Sequence, residues 1–144
     1  MDKIYIYTDG SSRGNPGPGG WGVVMKYKEK IKELSGGHKY TTNNRMELLA
    51  VIEALEALKS TKFPIELYSD SKYVIDSISK GWVFNWIKKP NFSGKKNEDL
   101  WRRFLTVYKD LDINFNWVKG HNGHPENERC DELATIESLK IKNG

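Results

Sequence analysis

Two segments of this chain, IYIYTDG at residues 4–10 and IELYSD at residues 65–70, share one layout. Each is a largely apolar run that ends on Tyr, a hydroxyl residue and then an aspartate. Such runs suit strands in a protein interior, yet each finishes on a group that is costly to desolvate. Between them lies TTNNRMELLAVIEALEALKS (41–60), rich in Ala, Leu, Glu and Met and opened by Thr and Asn capping candidates, which reads as a helix. A strand–helix–strand connection within one sheet makes the strands parallel through a right-handed crossover. If the two strands are neighbours, Asp9 and Asp70 come to lie side by side, at the carboxyl edge where open α/β sheets bind ligands.

The rest of the chain fits around that frame. WGVVMKYKEKIKELSGG (21–37) reads as two strands joined by a charged turn near Lys28 to Lys30, with Gly36 and Gly37 ending the hairpin. The glycines of GPGGWG (17–22) are expected to make the tight turn between antiparallel strands. SKYVIDSISKG (71–81) and DLWRRFLTVYKDL (99–111) read as helices, INFNWV (113–118) as a final strand, and a C-terminal helix starts near Pro125. The order β-β-β-α-β-α-α-β-α predicts an α/β fold: a five-stranded mixed sheet, three antiparallel strands and then two parallel ones, with helices on both faces. No repeat or linker interrupts it, so residues 1–144 are expected to form one domain.

Two further acids point the same way. On a helical wheel Glu53, Glu56 and Lys59 fall within about 120° of one another, whereas Glu47 lies at least about 120° from each of them, on the side of Ala50, Val51 and Leu58. Leu49 and Ile52 blur that pattern. Asp131, in ENERCDELA, shares a helical face with Asn127 and Ala134. A lone aspartate after a strand is ordinarily a turn or cap residue. Four acids on elements that can converge form a different pattern, because unpaired carboxylates repel and raise one another's pKa. A hard divalent cation, Mg²⁺ or Mn²⁺, resolves that repulsion with oxygen ligands.

At this point the sequence resembles a known family, ribonuclease H type 1 in its bacterial branch. The resemblance is carried by YTDGSSRGNPGPGGWG, TTNNRMELLAVIEALEAL, YSDSKYV, DLWRRF and WVKGHNGHPENERCDELA, in family order from Ile4 to about Ala134. It implies an endonuclease that cuts the RNA strand of RNA–DNA hybrids and leaves 5′-phosphate and 3′-hydroxyl ends. By the same resemblance Asp9, Glu47, Asp70 and Asp131 hold two Mg²⁺ ions about 4 Å apart, for which Mn²⁺ could substitute. One ion would activate the attacking water and the other would stabilise the leaving 3′ oxygen. His121 matches the family histidine that assists proton transfer or product departure. Ser12, Asn15, Asn43 and Asn44 match positions that line the hybrid's minor groove and read 2′-hydroxyls. Thr42 and Asn97 match the pocket for a DNA-strand phosphate, and Tyr73, Trp82, Trp86, Lys88 and Lys89 fall among the DNA-strand contacts. Many relatives have arginine where this chain has Tyr40, so that pocket is expected to lean on Lys39. The basic protrusion KKPNFSGKKN is short and carries Pro90.

Composition agrees. The net charge of +4 and pI of about 9.0 lean towards a polyanionic partner, and residues 80–103 concentrate the basic side chains around Trp82, Phe84 and Trp86. Trp101, Phe104 and one of Trp82 or Trp86 are the core candidates there. The single cysteine, Cys130, excludes an internal disulfide and fits a reducing compartment. No run is long and apolar enough for a membrane span, and the N-terminus has no signal-peptide pattern. A cytoplasmic monomer with no obligate protein partner is expected. Three competing ideas fare worse. GPGGWG satisfies a dinucleotide fingerprint, but the segment after it reads as a strand where that motif needs a helix. His121, His124 and Cys130 give zinc only three ligands at an uncommon spacing. A non-catalytic nucleic-acid-binding module on the same fold predicts a lost carboxylate, and all four are present.

Overall fold

The computed structural model describes residues 2–58, 61–120 and 124–144. Its strands are β1 (Ile4–Ser12), β2 (Gly17–Tyr27), β3 (Lys30–Thr41), β4 (Ile65–Ser69) and β5 (Ile113–Trp117), in the order β3-β2-β1-β4-β5. The first three are antiparallel neighbours, and β1–β4 and β4–β5 are parallel. The helices are α1 (Asn43–Leu58), α2 (Lys72–Ser79), α3 (Trp82–Trp86), α4 (Glu98–Tyr108) and α5 (Pro125–Asn143). None among the described residues is long and apolar enough to cross a membrane.

Alternation along β1 divides the chain's core. Ile4 and Ile6 pack with Val23 and Met25 against α1, while Tyr7 packs with Val24 against Cys130 and Leu133 of α5. Asp9 continues the Tyr7 side. Helix α4 lies outside α1 and adds Leu100, Trp101 and Phe104 to the larger core. Helix α5 follows the dipole rule, with Glu126 and Glu128 in its first turn and Lys140 and Lys142 in its last.

Two glycine expectations are corrected. Gly36 and Gly37 do not end the hairpin, since β3 runs through them to Thr41, and the glycines of GPGGWG lie inside β2. Both sets serve close packing. A Cβ on Gly20 would stand 2.3 Å from the Ala134 carbonyl oxygen, one on Gly22 2.5 Å from that of Cys130, and one on Gly37 2.9 Å from Ile141. The side-chain-free strip lets α5 rest directly on the sheet. The β2–β3 turn falls where the sequence places it, at Lys28 and Glu29, with Lys28 at φ +55°. Between α3 and α4, Asn91, Phe92 and Ser93 all adopt left-handed backbone angles, a strained conformation for such residues, and Phe92 is buried beneath it.

Candidate active site

The register Tyr7↔Tyr68 between β1 and β4, carried two residues on, sets Asp9 beside Asp70 on one face. Asp9 accepts the Gly10 N–H at 2.9 Å. Asp70 sits between two serines that fix the entry to α2: Ser71 N–H donates to Ser69 Oγ at 3.0 Å, and Ser71 Oγ accepts from Val74 N–H at 3.1 Å. β5 braces the same turn, with Val118 N–H donating to the Ser69 carbonyl at 2.9 Å and the Trp117 indole N–H to the Asp70 carbonyl at 3.1 Å.

Glu47 arrives through a close approach. A Cβ on Gly10 would lie 2.3 Å from the Met46 carbonyl carbon and 2.5 Å from the Glu47 nitrogen. The first turn of α1 therefore rests on the bare backbone next to Asp9, and any side chain at residue 10 would push it away. The helix begins there because Thr42 Oγ1 accepts from Arg45 N–H at 3.2 Å, an N-cap bond.

One oxygen from each of Asp9, Glu47 and Asp70 can be chosen so that all lie within 4.8 Å of one another. Among the described residues none of the three has an ion-pair partner. Glu47 Oε1 and Asp70 Oδ1 are buried without a hydrogen-bond partner among the described residues. Burial above all, then the charge of Asp70 and more weakly that of Asp131, pushes the Asp9 carboxyl up to about 7 against the Gly10 hydrogen bond. Burial followed by the charges of Asp9 and Asp70 pushes Glu47 well above the usual carboxylate range. All the donors are hard oxygens, two of them orphaned, which suits a divalent cation of the Mg²⁺ or Mn²⁺ type.

The other candidates divide. Asp131, half-buried on α5, is outside the three-acid cluster and reaches Asp9 through its field. His121 lies outside the described residues. His124 stands at the start of α5 and makes no side-chain cap; it packs edge-on against Tyr7 and Tyr68. Cys130 is buried, and its thiol donates to the Tyr7 carbonyl at 3.0 Å.

The polar residues expected to meet substrate gather around the first turn of α1. Asn43 Oδ1 accepts from Ser12 N–H at 2.7 Å, and Asn43 N–H donates to Asn15 Oδ1 at 3.1 Å. Asn15, Thr42, Asn43, Asn44, Lys96 and Asn97 line one cavity of ≈ 190 Å³. Sequence reasoning did not single out the clasp behind it: Arg45 holds Asp99 with two bonds, at 2.9 and 2.7 Å, and Asn97 Oδ1 at 3.2 Å. The Tyr73 hydroxyl accepts from both Asn97 Nδ2 and Trp101 Nε1, so much of the polar capacity of Asn97 and Tyr73 is used within the protein. Tyr40 is exposed. Trp86 packs on Phe92 and Trp101, whereas Trp82 is exposed under the Lys80 ammonium. Lys88 and Lys89 are exposed.

Comparison with known proteins agrees with this arrangement. The family model for RNase H matches residues 1–138. Ribonuclease HI of Helicobacter pylori is 56% identical over 140 residues, covering 97% of this chain and 96% of that protein. Ribonuclease H of Desulforamulus reducens is 55% identical over 138 residues, covering 93% and 86%. Among solved structures, LC9-RNase H1, a type 1 RNase H with the type 2 active-site motif, superposes with a TM-score of 0.83 at 29% identity, covering 98% of this chain and 74% of that one. LC11-RNase H1 in complex with an RNA/DNA hybrid gives 0.74 at 28% identity, covering 97% and 99%. The chain belongs to the RNase H family.

Proposed function

We propose that this protein is an endoribonuclease that hydrolyses the RNA strand of RNA–DNA hybrids, leaving 5′-phosphate and 3′-hydroxyl ends. One observation carries the proposal: three carboxylates from β1, α1 and the end of β4 crowd within 4.8 Å with no neutralising side chain among the described residues. A fold does not tolerate such a cluster without return, and hydrolysis of a phosphodiester assisted by two divalent metal ions supplies it.

Asp9, Glu47 and Asp70 would hold two Mg²⁺ ions, with Asp131 completing the set from α5; Mn²⁺ is the expected substitute. When bound, the ions supply Lewis-acid polarisation of the phosphate and a water nucleophile at neutral pH. The chain's own residues do the rest. The packing of α1 on Gly10 and the bracing of β4 by β5 keep the acids in place before substrate arrives. Ser12, Asn15, Asn43 and Asn44 would read 2′-hydroxyls in the minor groove. Thr42 and Asn97 would take a DNA-strand phosphate, with Tyr73, Trp82, Trp86, Lys88 and Lys89 along the same strand. His121 would assist proton transfer or product departure. The protein would act as a single-domain monomer in the cytoplasm, without an obligate protein partner.

The deciding experiment offers labelled RNA/DNA hybrid, RNA duplex and single-stranded RNA, each with and without Mg²⁺. Cleavage is expected for the RNA strand of the hybrid alone, and only with metal. In parallel, Asp70→Asn should bind hybrid and leave it intact. Cutting by Asp70→Asn at the parent rate would remove the site assignment.

A further inference from the structure

The arginines of this chain are fastened to carboxylates: Arg45 to Asp99, Arg102 to Glu98, Arg103 to Glu53 and Glu56, and Arg129 to Glu33 and Glu132. Arg13 is the exception. It follows Ser12 at the end of β1, in the loop that also carries Asn15, and it is partly exposed. Its Nε donates to the Ser138 hydroxyl of α5 at 3.0 Å, and that hydroxyl donates in turn to the Thr135 carbonyl at 2.9 Å. Ser138 is fully buried, so the guanidinium is held by its inner edge. Among the described residues no carboxylate pairs with Arg13, and the N–H groups of Nη1 and Nη2 have no acceptor. The backbone beneath is equally constrained: Arg13 N–H donates to the Pro18 carbonyl at 2.6 Å, and a Cβ on Gly17 would collide with the Arg13 carbonyl oxygen.

The fold alone gains little from this arrangement. Taking a guanidinium partly out of water without a counter-ion is costly, and the hydroxyl that steadies it leaves its charge whole. What results is a fork of donors, fixed on one side and open on the other, with the planar geometry that matches a phosphate. Its position says which phosphate. Ser138 lies two turns beyond Asp131 on the same face of α5, roughly 10 Å along the axis. Ser12 and Asn15, which flank Arg13 in the chain, are tied to Asn43 and belong to the group assigned above to 2′-hydroxyls. The cation thus stands beside the strand that the acid cluster would cut, within roughly three nucleotides of the cleaved bond at a rise of about 3.4 Å each.

We propose that Arg13, steadied on Ser138, binds a backbone phosphate of the RNA strand on the α5 side of the acid cluster. The assignment rests on the hybrid-nuclease function proposed above. It is tested with Arg13→Gln, which can still donate to Ser138 but carries no charge, in steady-state cleavage of a labelled hybrid across a salt series. The control is Lys62→Gln, at an exposed residue on the amino side of β4 and away from the acid cluster. In Arg13→Gln, KM is expected to rise roughly three- to tenfold, kcat to stay within about twofold, and the log–log salt slope of binding to become shallower by about one. Arg13→Lys should recover the slope, and Lys62→Gln should leave both readings at parent values. Ser138→Ala, which frees the guanidinium but keeps its charge, should raise KM less than Arg13→Gln and keep the parent slope. Weaker binding by Arg13→Gln at an unchanged slope would make the residue a tie between loop and helix and overturn the phosphate contact.

Single neutral linkages are then placed in turn along the RNA strand, within about three nucleotides of the cleaved bond. At one of these positions the difference between parent and Arg13→Gln should vanish. If it vanishes at none of them, or only with a neutral linkage in the DNA strand, the assignment to the RNA strand is overturned. An unchanged KM and salt slope in Arg13→Gln overturns the contact itself. Hybrid binding read by fluorescence anisotropy without divalent metal decides the Arg13 contact even if the parent cleaves nothing, an outcome that would overturn the nuclease function alone.

Discussion

Helix α1 carries glutamates in two opposite settings. Glu53 and Glu56 face α4, where Arg103 donates to both, at 3.1 Å to Glu53 Oε2 and 2.6 Å to Glu56 Oε1. Glu47, near the start of the same helix, faces Asp9 and Asp70 and, among the described residues, meets only negative charge. The residue type and the helix are the same, so the difference lies in what the rest of the fold supplies. Where a carboxylate has only to fasten two helices, an arginine comes with it. Where the fold presents like charges to one another and leaves buried oxygens unpartnered, the compensating charge has to come from outside the chain.

The sharpest way to break this contrast is Glu47→Gln. Under the proposed function it removes a metal-binding oxygen, and hydrolysis of hybrid should fall by on the order of a thousandfold or more. The same substitution removes a repelling charge from the metal-free protein, whose thermal midpoint should rise. Activity and stability moving in opposite directions would mark Glu47 as functional; a parallel loss of both would make it a packing residue.

The pH dependence of the metal-free protein comes next in size. Asp9 holds its proton more tightly folded, near 7, than at its ordinary value of 3.8. The folded state therefore binds more protons than the unfolded state between those values, and stability falls as pH rises through that window. The loss should amount to roughly 4 kcal/mol between pH 4 and pH 8. Glu33, Glu66, Asp99 and Glu126 have lowered values, so their contribution has the opposite sign and is lost as pH falls below about 4.5. Thermal melts at intervals from about pH 3 to pH 8 check both signs. The slope should flatten in Asp9→Asn, and saturating Mg²⁺ should restore stability at the alkaline end.

How much of this was legible beforehand follows from range. The repeated strand-then-aspartate layout is local, and one topological rule carried it to the pairing of Asp9 with Asp70. Glu47 was harder to place because α1 is packed between the sheet and α4. Leu48, Leu49, Ala50, Val51 and Ile52 are all buried, so no clean polar face announces its orientation. The glycines of β2 and β3 were misread as turn formers because their purpose, the approach of α5, lies a hundred residues away in the chain. For the same reason nothing local marked Trp117 as the brace for Asp70, or Arg45 as the clasp on Asn97: each partner belongs to a different element. The left-handed turn at Asn91–Ser93 has no glycine at those positions to signal it.

The smallest expected effect lies on the paired side of the contrast. Arg103 is partly exposed, at 39% for its side chain, and Glu56 and then Glu53 hold its guanidinium in the charged form. Salt bridges in such settings contribute little, because solvent screens the attraction and ordering three long side chains costs entropy. Arg103→Met keeps most of the aliphatic packing between α1 and α4 and deletes the charge. Denaturant unfolding should show a loss of about 1 kcal/mol or less, shrinking further in high salt, with kcat and KM on hybrid unchanged. A large loss of stability would mean that Glu53 and Glu56 also repel something that Arg103 keeps in check, and the division of α1 into a fastened half and an electrostatically loaded half would have to be redrawn.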